Sequence, residues 1–85
     1  MRWLAQTAHQ GFRRVLAAKW SIPLSIREKE VLRWAADGKT VTEISAILDI
    51  SVATVKFHTR NAAEKLGTVN RTAAVARAVA MGLLF

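Results

Sequence analysis

The side chains best suited to chemistry in this 85-residue sequence are two cations four positions apart, Lys56 and Arg60, with Phe57 beside the first of them. On a helix, side chains four positions apart stand one above the other, so these two cations share a face and cannot neutralise each other. Ammonium and guanidinium groups donate hydrogen bonds and accept none. The pair therefore has either an anionic partner or only water, and its chemistry is the recognition of anions.

The residue sets that catalysis or metal binding would require are missing from the sequence. The two histidines, His9 and His58, lie far apart, there is no cysteine, and no cluster of acidic residues is present. This leaves no nucleophile, no paired carboxylates and no set of metal ligands. We therefore predict that the chain is not an enzyme and has no catalytic residue, no cofactor and no metal site.

The element that must position the two cations is a helix predicted over residues 51–66. Ser51 is a natural N-cap, Ile50 and Val55 have the spacing of a hydrophobic staple, and Gly67 suits a left-handed C-terminal cap. A helical wheel places one set of residues inward: Val55, Thr59, Ala62 and Leu66. The opposite, exposed set is Ala53, Lys56, Phe57, Arg60 and Glu64.

Two shorter helices are predicted before this one. Each begins with a capping box of the form S/T-x-x-E, the first at residues 25–28 and the second at residues 40–43. Gly38 is predicted to end the first helix. The residues predicted to face inward on the second helix are Ile44, Ile47 and Leu48.

A last helix is predicted over residues 71–81, capped by Asn70 and closed by Gly82. It is rich in alanine, and small side chains let another helix approach closely. This face is either plain core or a dimer seam, and the sequence leaves both open. The residues concerned are Ala74, Val75, Ala78 and Val79.

The N-terminal part of the chain is predicted to be separate from these helices. Residues 1–20 have the pattern of one basic, amphipathic helix. Pro23 cannot sit in a helix interior and biases the residue before it toward extended geometry, so residues 21–24 are predicted to be a linker and residues 25–85 a domain. A basic amphipathic helix could lie on a membrane, but its apolar face is thin, and we expect it to dock on protein instead.

Charge is distributed unevenly along the chain. The net charge is +7, of which residues 1–20 and residues 51–85 each carry +4, while residues 21–50 carry −1. Nucleic acid is the commonest partner of such a basic region, and an anionic membrane surface is the next. No apolar run reaches the roughly 18 residues of a membrane span, and no secretory signal is present. We expect no membrane partner and a location in a bacterial cytoplasm or a nucleus; the family resemblance described below implies a cytoplasmic protein.

Two short helices joined by a turn, the second longer and basic on its outer face, form a helix-turn-helix. In this motif the first helix braces the DNA backbone and the second enters the major groove. Lys56 and Arg60 can donate to guanine, and Phe57 can pack on a thymine methyl group. Residues at helix starts and flanks are predicted to reach phosphates: Thr40, Thr42, Ser51, Thr54, Asn61 and Lys65.

Residues 24–84 closely resemble the LuxR-type helix-turn-helix DNA-binding domain. The matching positions are Glu28, Leu32, Gly38, residues 43–45, residues 54–58, Asn61, residues 65–66 and residues 82–83. The resemblance implies an all-α domain of four helices, here preceded by the one N-terminal helix, that binds inverted-repeat promoter DNA as a dimer. It places the base contacts on Lys56, Phe57 and Arg60, and the dimer contacts on the last helix.

Trp34 and residues 38–40 are more similar to the quorum-sensing branch of that family than to its phosphorylated branch. Residues 1–20 likewise resemble the last helix of the acyl-homoserine-lactone-binding domain in that branch, although no lactone pocket fits in this length. A truncated regulator and a short stand-alone regulator both remain open. Alternatively, a short member could pair with full-length LuxR-type regulators and modulate them. RNA polymerase is a further candidate partner.

Overall fold

The computed structural model describes residues 22–85, so the helix predicted over residues 1–20 lies outside the described residues. The described part contains four α-helices and no strand: α1 Ile26–Ala36, α2 Val41–Leu48, α3 Val52–Leu66 and α4 Arg71–Ala80. The prediction of an all-α, four-helix domain is confirmed. Within residues 22–85, no helix is long and apolar enough to cross a bilayer.

Local side-chain caps begin the helices where the sequence predicts them. In α1, the Ser25 hydroxyl accepts the Glu28 amide at 3.1 Å, and the Glu28 carboxylate accepts the Ser25 amide at 2.9 Å. Thr40 and Glu43 form the same reciprocal pair at the start of α2, at 3.1 and 2.9 Å. Such caps satisfy backbone donors that the first turn leaves unpaired. Both predicted capping boxes are therefore confirmed.

The turn between α2 and α3 is short and held by side chains and backbone. Asp49 ends α2 in the left-handed conformation, with φ of 55°, which aspartate tolerates better than most residues. The Ser45 hydroxyl donates to the carbonyl of Ile50, and the Ile50 amide donates to the carbonyl of Ser45 at 3.1 Å. The start of α3 is thereby fixed to the end of α2.

Two groups of buried side chains form the core. The smaller group joins α1, α2 and α3 through Val31, Ile44 and Val55, with Ile50 packed against it as the predicted staple requires. The larger group joins α1, α3, α4 and the segments before α1 and after α4: Leu24, Leu32, Ala62, Ala63, Leu66, Ala74, Ala78 and Leu84. Leu24 is buried there and Ile22 packs against it, so two residues of the segment predicted as a linker contact the core.

Three sequence predictions about packing need correction. Ala74 and Ala78 were candidates for the dimer seam, but both are completely buried inside this chain, because α4 lies against α1 and α3 along its alanines. Neither side chain can contact a second chain. Ile47 was predicted to face inward, yet it is 44% exposed, because α2 is short and buries only Ile44 fully.

The C-terminal residues after α4 return to the core. Leu84 is buried, and its carbonyl accepts a hydrogen bond from Nε of Arg33 in α1 at 2.7 Å. Phe85 remains exposed. Helix α4 ends at Ala80, one residue before the predicted end, with Met81 as its C-cap.

Replacing Leu32 by alanine tests this assignment of the core. Leu32 is fully buried in the larger group, so its truncation should lower the free energy of unfolding by about 2–5 kcal/mol. Ile47→Ala is the matched control, and its effect should stay within about 0.5 kcal/mol because the side chain is exposed. Urea unfolding followed by circular dichroism measures both. Equal losses in the two variants would contradict the assignment.

Candidate nucleic-acid interface

Helix α3 is buried on one side and open on the other. It contacts α1, α2 and α4, and its residues Val55, Ala62 and Leu66 face the core. Lys56, Phe57 and Arg60 all lie on the exposed side, as the helical wheel predicts. The scaffold thus holds α3 from three directions and presents one cationic face of it to the surroundings.

An exposed aromatic ring lies beside the two cations of this face. Phe57 is 52% exposed. Its ring meets the ring of half-buried His58 edge to face, with centroids 5.5 Å apart and planes at 65°. This contact orients Phe57 without burying it. The exposed ring is therefore available to a partner.

Hydroxyl groups gather at the start of α3. The Ser51 hydroxyl accepts the Thr54 amide at 3.0 Å and lies 2.8 Å from the Thr54 hydroxyl. Of the other predicted phosphate contacts, Thr40 caps α2, Thr42 is exposed on α2, and Asn61 is half-buried on α3. These groups lie at helix starts or flanks, where polar hydrogens can reach an anion.

Lys65 differs from the other predicted phosphate contacts. Its ammonium lies 2.8 Å from a carboxylate oxygen of Glu28 and 3.1 Å from the carbonyl of Pro23. The ammonium is therefore engaged within the chain, where it links the end of α3 to the start of α1. The sequence offered no signal for this ion pair, because the two residues are 37 positions apart.

Glu28 is the charged partner in this link, and it is buried. Burial by itself would raise its pKa, but the hydrogen bond and charge of Lys65 and the amide of Ser25 outweigh that effect and hold the pKa below its ordinary value of 4.5. The ionised carboxylate is thus the form that the fold stabilises.

A concave surface, here called the basic groove, opens beside the cationic face. It has a volume of about 320 Å³ and lies between α3, the first residue of α2 and the loop that leads into α4. Lys56, Arg60 and Arg71 line it, together with Asn70 and Val41. The sequence predictions missed Arg71 and Asn70. The only indication in the sequence was the basic character of residues 51–85, because the position of Arg71 and Asn70 depends on how α4 packs.

The residues predicted as a dimer seam are partly accessible. Val79 is 46% exposed and Val75 is half-buried, so these two remain available to a second chain. Val79 also lines a separate groove of about 560 Å³, together with Trp34 of α1 and Phe85. Glu30, Arg33 and Asp37 line the same groove, so apolar and charged side chains meet between α4 and the end of α1.

The fold and the exposed face together define a class of protein. Helices α2 and α3, joined by the short turn at Asp49, form a helix-turn-helix whose second helix is the longer and carries the exposed cations. Residues 22–78 match the family described as "Bacterial regulatory proteins, luxR family". The chain belongs to this family, which confirms the resemblance of residues 24–84.

Individual relatives are similar along the same region. The chain is 41% identical over 88 residues to the transcriptional activator protein AnoR of Acinetobacter nosocomialis, covering 99% of this chain and 37% of AnoR. It is 59% identical over 61 residues to the quorum sensing-dependent transcriptional regulator RpaR of Rhodopseudomonas palustris, covering 72% of this chain and 25% of RpaR. The chain therefore spans well under half the length of these relatives.

A solved structure shows the same arrangement of helices. The crystal structure of Escherichia coli SdiA superposes with a TM-score of 0.73 at 46% sequence identity, covering 76% of this chain and 27% of SdiA. The four-helix fold described above is therefore the fold of this family.

The link between Glu28 and Lys65 generates a pH-dependent prediction. Glu28→Gln removes the charge but keeps the shape, and should lower the free energy of unfolding by about 1–3 kcal/mol at neutral pH. Since the folded pKa of Glu28 is depressed, its contribution is present above the ordinary value of 4.5 and is lost as the pH falls through the depressed value. The difference in the free energy of unfolding between the parent and Glu28→Gln should therefore become smaller in acid.

Urea unfolding at several pH values between about 7 and 3 measures this gap. Glu30→Gln is the control, because Glu30 forms an exposed ion pair with Arg27 at 3.2 Å, and such pairs contribute little. A gap for Glu28→Gln that stays constant from neutral pH to acid would contradict the proposed ionic link.

Proposed function

We propose that this chain is a sequence-specific DNA-binding transcriptional regulator of the quorum-sensing type, and that it binds inverted-repeat promoter sites as a dimer through residues 51–66. The observation that carries the proposal is the exposed face of α3. Lys56, Phe57 and Arg60 lie together on it, while the opposite face is packed against three helices. Membership in the LuxR family supports the same reading.

The cationic face suits the edges of base pairs. A major groove is wide enough to admit an α-helix, and arginine or lysine donating to guanine O6 and N7 is the commonest specific contact there. Phe57 adds an apolar surface that fits the methyl group of thymine. The three side chains therefore read sequence, with Arg60 and Lys56 as donors and Phe57 as the apolar contact.

Phosphate contacts set the position of α3 on the duplex. Thr40 and Thr42 at the start of α2 and Ser51, Thr54 and Asn61 on α3 supply the hydrogen-bond donors. Lys65 is the weakest member of the predicted set, because its ammonium is bound to Glu28.

Two copies are proposed to pair through the accessible valines of α4. Val75 and Val79 form the seam, and the neighbouring groove with Trp34 and Phe85 extends the apolar area. A two-fold dimer presents two α3 helices to two half-sites, so a palindromic site with half-sites about one helical turn apart is expected. Selection of bound duplexes from a random pool tests the symmetry directly.

The quorum-sensing assignment is supported by the similarity to RpaR, a quorum sensing-dependent transcriptional regulator that is 59% identical to this chain over 61 residues. Because the proposed target is promoter DNA, the protein is also proposed to act in the cytoplasm. RNA polymerase and full-length LuxR-type regulators remain proposed further partners.

Arg60→Ala tests the base contacts. It should weaken binding by about 1–3 kcal/mol per half-site and relax the preference at one base pair, because a bidentate contact to guanine is lost. Arg27→Ala removes the same charge from an exposed arginine of α1 and should leave both affinity and preference unchanged. Fluorescence anisotropy with sets of single-base variants measures both. Tight binding of every duplex by Arg60→Ala and Lys56→Ala would contradict the assignment.

Val79→Glu tests the proposed seam. A carboxylate buried without a partner between two α4 helices should raise the dimer dissociation constant at least roughly tenfold and weaken DNA binding, although α3 is intact. Ile26→Glu places the same charge on an exposed isoleucine of α1 and should pair normally. Sedimentation velocity distinguishes the two variants. Unchanged sedimentation of Val79→Glu would move the seam away from α4.

A further inference from the structure

The basic groove has the composition of an anion site. Three cations line it, Lys56, Arg60 and Arg71, and among the described residues that line it there is no carboxylate. Lys56 and Arg60 belong to α3, whereas Arg71 is the first residue of α4. Positive charge therefore converges on one concavity from two different helices.

Arg71 is held by a hydrogen bond to the backbone of the turn that leads into α2. Its Nη2 donates to the carbonyl of Lys39, in the turn that leads into α2, and the residue is half-buried. A guanidinium carries five N–H donors in one rigid plane, so the single bond to Lys39 leaves donors for a second acceptor. Such a planar fork matches the oxygens of a phosphate.

The location of Arg71 favours phosphate over a base edge. Arg71 lies at the start of α4, beside α3 rather than on the part of α3 that would enter the groove of the duplex. Groups that flank a reading helix contact the DNA backbone. The start of α4 also favours an anion, because the aligned peptide dipoles of a helix leave partial positive charge at its N-terminus. Asn70 caps this end of α4 by accepting the Ala73 amide at 2.8 Å.

We propose that the basic groove seats one phosphate of the DNA backbone in each half-site, and that Arg71 is the positioning residue that binds it. The bond from Arg71 to Lys39 connects α4 to the start of α2, so this phosphate fixes α4 and the start of α2 against the same strand. The inference rests on the proposed function, because it requires that the chain bind DNA.

Arg77 provides a matched comparison on the same helix. Its Nη1 donates to the carbonyl of Leu66 at 2.8 Å, so it carries the same charge and makes the same kind of contact as Arg71. Arg77 does not line the basic groove. A difference between the two arginines in DNA binding therefore reports the groove and not net charge or the helix–loop contact.

The test measures affinity for the selected duplex and for an unrelated duplex over a fourfold range of salt. Arg71→Gln keeps a donor for the Lys39 carbonyl but removes the charge. It should weaken binding of both duplexes by the same factor, roughly tenfold, and should reduce the slope of log affinity against log salt by about one for each half-site. Arg71→Lys should retain the slope, and Arg77→Gln should leave it unchanged.

Each other outcome overturns the inference. An unchanged salt slope in Arg71→Gln, with the parent binding normally, removes the phosphate from this groove but leaves the proposed function intact. Equal changes of the salt slope in Arg71→Gln and Arg77→Gln would show that net charge, and not a phosphate in the basic groove, causes the change. A loss confined to one duplex sequence would make Arg71 a base contact. Failure of the parent to bind any duplex would overturn the proposed function together with this inference.

Discussion

A buried carboxylate, Glu28, carries the interaction on which the placement of α3 depends. It accepts the Ser25 amide that begins α1 and the Lys65 ammonium near the end of α3. A buried carboxylate without partners is costly, so both partners must be present for the fold to form around it. Lys65 also reaches the carbonyl of Pro23, and the segment before α1 is thereby held against α3 as well. The ion pair of Glu28 and Lys65 thus joins α1, the end of α3 and the segment before α1.

The core also holds α3 in position, and it does so without covering the outer face of this helix. Valine and isoleucine fill the contact with α2, whereas alanines fill the contact with α4 and allow close approach. Helix α3 is consequently supported by elements on three sides, and its free face carries Lys56, Phe57 and Arg60. Side chains presented by a rigid helix hold their spacing better than side chains on a loop, which suits the proposed reading of base pairs.

Features set by neighbouring residues were predictable from the sequence, and features set by distant packing were not. The caps of Ser25 and Thr40 and the two faces of α3 depend on spacings of three or four residues, so the pattern determines them. The burial of Ala78 and the exposure of Ile47 depend on which helices meet, and small or aliphatic side chains suit either environment. The pairing of Lys65 with Glu28 had no local signal at all. The proposed DNA and dimer contacts stay predictions.

The three-residue joint at residues 49–51 restricts how this module can vary in length. Asp49 adopts the left-handed conformation and the Ser45 hydroxyl binds the carbonyl of Ile50, so the backbone between α2 and α3 is fixed. One inserted residue would turn α3 by about 100° about its axis and carry its cations toward the core. Related chains should therefore keep this joint at a constant length.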